Sequence, residues 1–158
     1  MPCCRSLLRL LCCGLVLLLA ALPARSADMS VRNPQLVAND DGYALSADCN
    51  INFNTRLEEA VNKGVVLYFV ADFELKRSRW YWLDENVINR SKTVQLSFHA
   101  LTRQYRLSTG ALHQSFPTLE EALKVISRLR SWQVLEAGEV KPDLVYLAGL
   151  RIRLDLSQ

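Results

Sequence analysis

The chain has 158 residues, half of them hydrophobic and 22% charged, with six glycines and five prolines. That balance excludes a disordered or collagen-like polypeptide and fits one packed core. The formal charge of +3 at pH 7 gives no support for nucleic-acid binding, because the whole excess lies in an N-terminal leader.

In that leader Arg5 and Arg9 supply a positive flank and Leu10 to Leu22 is an uncharged apolar run. Ala24-Arg25-Ser26 then presents small residues at the two positions a signal peptidase reads. The pattern predicts a cleaved secretory signal over residues 1–26 and a single domain over 27–158, periplasmic or secreted. The run is shorter than the ~20 residues that span a bilayer. An inner-membrane anchor through an uncleaved leader is the alternative, and no stable span is expected after cleavage. Cys12 and Cys13 follow Leu11 rather than a small residue, which disfavours a lipoprotein. Loss of the leader takes Arg5, Arg9 and Arg25, so the 19 basic residues fall to the level of the 16 acidic ones. It also leaves Cys49 as the single cysteine, so no internal disulfide can form and packing must hold the fold.

Asn39-Asp40-Asp41-Gly42 reads as a tight turn, since Asn, Asp and Gly accept the positive φ of a two-residue hairpin. After it Tyr43, Leu45, Ala47, Cys49, Ile51 and Phe53 alternate with polar or small residues, the period of a strand with one buried face. Thr55-x-x-Glu58 reads as a capping box opening a short helix with Leu57, Ala60 and Val61 as its apolar stripe and Gly64 at its end. Val65 to Leu75, rich in β-branched and aromatic residues, predicts a central strand. A basic and aromatic stretch from Lys76 to Trp82 follows, and Asp84-Glu85-Asn86 is expected to break the pattern. Val94, Leu96 and Phe98, then Tyr105 and Leu107 after a turn near Leu101-Thr102-Arg103, predict an antiparallel hairpin. Leu112 to Phe116 is a short extended piece. Thr118-x-x-Glu121 opens a second helix whose apolar spacing runs through Leu129, with Arg128 and Arg130 near its C-terminal end. Trp132 to Leu135 and Leu150 to Leu156 are read as strands around a turn at Gly138 to Asp143. One-sided strands separated by turns predict a mostly β, antiparallel sandwich-like domain with two short helices. An α+β fold with one antiparallel sheet covered by both helices is the alternative.

Little in the chain points to catalysis. His99 and His113 fall on polar faces and Cys49 on an apolar one, so a Cys-His pair fails on direction and the thiol reads as a small core residue. No nucleophile elbow, phosphate-binding glycine loop or metal-ligand spacing occurs, and no cofactor is expected. The carboxylate pairs lie in turns or first helical turns, which leaves an envelope hydrolase acting on peptidoglycan or glycan through carboxylates as the alternative to a non-catalytic module.

The candidate binding residues are Arg77, Arg79, Trp80, Tyr81 and Trp82. Three consecutive rings cannot all face one side of a strand, and aromatic residues with Arg are enriched at binding hot spots. The competing reading is that the rings close one end of the domain with arginines stacked on them.

Leu67-Tyr68-Phe69, Arg79-Trp80-Tyr81-Trp82, Leu101-Thr102-Arg103-Gln104-Tyr105-Arg106, Ser115-Phe116 with Leu119-Glu120-Glu121-Ala122-Leu123, and Arg151-Ile152-Arg153-Leu154-Asp155 together resemble an exported proteobacterial family, the domain-of-unknown-function family 4390. The resemblance implies export in a Gram-negative bacterium and brings no catalytic residues. Because such proteins are often encoded beside two-component sensor kinases, it also implies an envelope protein partner such as a membrane sensor kinase. Family members continue past the final strand into a tail with Pro and Trp, whereas this chain stops at Gln158, so any role of that tail is not represented here.

Overall fold

The computed structural model describes residues 29–78, 81, 85–141 and 143–155; the leader and Leu156 lie outside them. The chain runs β1 (Met29–Asn39), β2 (Gly42–Ile51), α1 (Thr55–Asn62), β3 (Leu67–Arg77), β4 (Glu85–His99), β5 (Gln104–Thr109), β6 (Leu112–Phe116), α2 (Leu119–Ile126), β7 (Arg128–Glu136) and β8 (Tyr146–Asp155). The fold is mostly β, with two antiparallel sheets ordered β1-β2-β7 and β6-β5-β4-β3-β8. The sandwich-like reading therefore holds, and the single sheet covered by two helices does not.

Period-two alternation sets the inner faces. Leu45, Ala47 and Cys49 of β2 are buried, as are Phe69, Ala71, Phe73 and Leu75 of β3. Leu45, Val134 and Leu135 from the smaller sheet pack with Phe73, Leu75 and Ile88 from the larger one, which joins the sheets at one pole. At the other pole Val61 of α1 and Ala122 of α2 complete a cluster with Leu67, Phe69, Leu96 and Leu107. The helices thus close the helical pole, and loops occupy the opposite one.

The hairpin read at Asn39–Gly42 is present, with Asn39 opposite Gly42. Gly42 has φ +131°, and a Cβ there would lie 2.2 Å from the carbonyl oxygen of Leu135, so only glycine fits between the turn and β7. Gly64, at φ +93°, ends α1 as expected, with its N–H donating to Val61 and that of Val65 to Ala60, the paired bonds of a Schellman motif.

Several boundaries differ from the sequence reading. The residue capping α1 is Asn54, whose Oδ1 accepts from the Leu57 N–H at 3.0 Å, and Thr55 already sits in the first turn. Thr118 caps α2 as expected, its Oγ1 accepting from the Glu121 N–H at 3.3 Å. That helix stops at Ile126 rather than reaching Leu129, because pairing with β2 captures the following residues: Asp48 faces Arg128 and Ala47 faces Leu129. Arg128 and Arg130 are accordingly strand residues rather than helix-end cations. Glu85 and Asn86 do not break the pattern but begin β4, which pairs with β3 from Arg77↔Glu85 to Leu67↔Leu96, with a bulge at Val87. Strand β1 carries a bulge near Asn33, at φ 47°, and Pro34, and most of its side chains are exposed, so its sequence shows no alternation.

Candidate functional site

The loop pole of the larger sheet is built by the end of β3 and the starts of β4 and β8. Pairing sets Arg77 opposite both Glu85 and Tyr146, and Lys76 opposite both Asn86 and Leu147. Arg77 forms an ion pair with Glu85, and Lys76 Nζ reaches Glu74 Oε2 at 2.8 Å. These pairs set the strand ends, and residues 78–84 connect them.

Exposed apolar side chains gather there. Tyr81 is 69% exposed, Val145 76% and Leu147 53%, and Val87 and Leu144 are also exposed. Leu147 lies beside Lys76 in register, Val87 follows Asn86, and Leu144 and Val145 lead into β8, so the register brings them to one end of one sheet. An exposed apolar group edged by cations is the composition of a contact surface rather than of solvated rim.

Of the candidate residues read from sequence, Arg77 and Tyr81 belong to this pole, whereas Arg79, Trp80 and Trp82 lie outside the described residues. Val87, Leu144, Val145 and Leu147 were not anticipated. The signal for the last three was the unbroken apolar run Leu144-Val145-Tyr146-Leu147, which puts apolar groups on both faces of a strand start.

A second concave region lies between α2, β2 and β7. It is an open depression of about 530 Å³ lined by Asp48, Glu120, Lys124, Ser127, Arg128 and Arg130, among others. Its carboxylates are engaged: Asp48 accepts from Arg130 Nη2 at 2.5 Å, and Glu120 meets Lys124 at 3.8 Å. The Arg130 hydrogen bond holds the Asp48 carboxyl below its ordinary range. An anion so stabilised is a poor proton donor at neutral pH.

The imidazoles and the thiol stand apart. His99 Nδ1 is 3.1 Å from Thr102 Oγ1, and His113 Nδ1 is 2.8 Å from Ser108 Oγ, both at exposed ends of the larger sheet. Cys49 is buried at 7% exposure, and burial, with the Asp48 charge beside it, pushes its thiol pKa up. Among the described residues no group of three His, Cys, Asp or Glu side chains converges as metal ligands.

No curated protein and no solved structure matches this chain. One family does, over residues 26–158. The chain belongs to the family described as a domain of unknown function, DUF4390.

Proposed function

We propose that this chain is an exported, non-catalytic binding module of the cell envelope, and that its loop pole is the surface that takes a protein partner. The observation that carries the reading is the cluster of exposed Tyr81, Val145 and Leu147 beside Arg77 at one end of one sheet. The leader pattern supports export, and the family resemblance favours a membrane sensor as the partner. The engagement of Asp48 by Arg130 and of Glu120 by Lys124 supports a binding role over the hydrolase alternative.

A photocrosslinking residue at position 147, in the protein expressed in a Gram-negative host, tests it. The expected outcome is a discrete crosslinked partner that disappears when Trp80→Ala is combined with Trp82→Ala, or when Val145→Asp is introduced, with circular dichroism unchanged. A crosslinker at Leu112, which is 76% exposed on β6 away from this pole, serves as the control. Identical capture from positions 112 and 147 refutes the assignment. Turnover of a peptidoglycan or glycan substrate that tracks ionisation of a carboxylate would instead establish the hydrolase.

A further inference from the structure

Strand β4 outruns its neighbour. It pairs with β3 from Glu85 to Leu96, but β5 pairs with it only from Gln95 to His99. From Ile88 to Val94 the strand is regular on its β3 side, running Leu75↔Ile88 to Phe69↔Val94, and no strand among the described residues pairs with the other side. Backbone N–H and C=O groups alternate across a strand, so half of those in this segment point away from β3 toward an edge that no described strand occupies. Asn89, Arg90 and Ser91 are exposed, as an open edge requires.

The side chains give this edge a charge. Arg90 faces Phe73 and Lys92 faces Ala71 in the pairing, so both cations lie on the inner face of the sheet. From Asn86 to Val94 they are the charged residues of the strand, and no carboxylate accompanies them. Arg90 Nη2 is held by Glu139 of the β7–β8 connection at 2.7 Å. Lys92 has no such anchor among the described residues and lines a small cavity of about 40 Å³ with Phe69, Ala71, Val94, Ile126 and Leu129. That volume suits one small aliphatic side chain and excludes an acyl chain.

We infer that the Ile88–Val94 edge of β4 receives an extended, acidic segment of a partner protein by strand addition. Its main chain continues the sheet, a carboxylate meets Lys92, and a small apolar side chain enters the cavity beside it. Charge complementarity decides the occupant. A second copy pairing edge to edge would bring the Arg90 and Lys92 of each chain together, and like charges across a strand pair are unfavourable. This edge is a separate surface from the loop pole and does not depend on it.

A random-peptide display library selected on residues 27–158 tests the inference, followed by hydrogen exchange with an enriched peptide bound. The expected peptides carry an acidic and a small apolar residue two positions apart, on one face of the added strand, and protect amides within 88–94. Their affinity falls about fivefold with Lys92→Gln, the size of one exposed ion pair, and further with Lys92→Glu. N-methylation of alternate peptide amides is expected to abolish binding while leaving composition and charge nearly unchanged. Selected peptides without acidic enrichment, or protection confined to other segments, overturn the proposal. So does self-association of Lys92→Gln without acidic selection, since the lysine would then be a guard against edge pairing. Capture at position 147 is a different readout, so failure here and failure of the loop-pole reading are distinguishable.

Discussion

At Asp72, on the outer face of the larger sheet, burial opposes ionisation but is outweighed by hydrogen bonds from Ser91 Oγ at 2.7 Å and Arg153 Nε at 3.0 Å, which leave the carboxyl below its ordinary value of 3.8. Arg153 also bonds Asp155 at 3.0 Å, so one guanidinium ties two carboxylates across adjacent strands. The direction of this shift fixes its sign in folding. A carboxyl with a depressed native pKa binds fewer protons folded than unfolded, so its stabilisation is complete above 3.8 and is lost as pH falls through the lower native value. Asp72→Asn is therefore expected to flatten the decline of urea midpoints between about pH 4 and pH 2. An unchanged slope would remove Asp72 from the acid response. The aspartate was visible in the sequence as a polar residue between Ala71 and Phe73. Its partners were not, because Ser91 and Arg153 come from two other strands.

Among the elements, the caps show how closely local sequence decides structure and where it stops deciding. Asn54 and Thr55 both qualify as helix starters, and the asparagine prevails because its extended backbone, φ −83° and ψ 162°, lets its carbonyl and its side chain both accept from Leu57. Asn54→Ala is expected to cost about 1 kcal/mol by urea denaturation and Thr55→Ala much less. The reverse order would restore the capping box at Thr55. At α2 the start was legible in Thr118, but the end was not. Leu129 keeps helical spacing yet serves in β7, because pairing with β2 and the hydrogen bond from Cys49 N–H to Ser127 at 2.8 Å draw the chain into the smaller sheet. Hydrophobic period alone cannot tell these outcomes apart, since Leu129 is inward in both.

Across the whole molecule, alternation in β2, β3 and β5 disclosed which faces are buried but not which strands are neighbours. The pairings of β2 with β7 and of β3 with β8 join segments far apart in sequence, and nothing in either partner's pattern names the other. The loop pole was half legible for the same reason: Arg77 and Tyr81 stood out as a local cluster, whereas Val145 and Leu147 arrive through the long-range pairing of β8. Cys49 gives a global readout of this architecture. In the chain from residue 27 its thiol, 7% exposed at the floor of the open depression beside α2, is expected to react with a soluble disulfide reagent far more slowly than a free thiol, and the rate should rise with urea in step with unfolding. Rapid modification under native conditions would mean that the strand is not sealed.

Met29 lies beside Ile51, where β2 leads into α1, and Asp155 lies beside Tyr68, where α1 has delivered the chain into β3. Both strands therefore have those ends at the helical pole, while the Arg77 end of the sheet stands a full strand length away. Whatever is joined ahead of Met29, whether a tether to a lipid surface, a bead or a fluorescent fusion, enters the described fold at its stern, a full strand length from its prow.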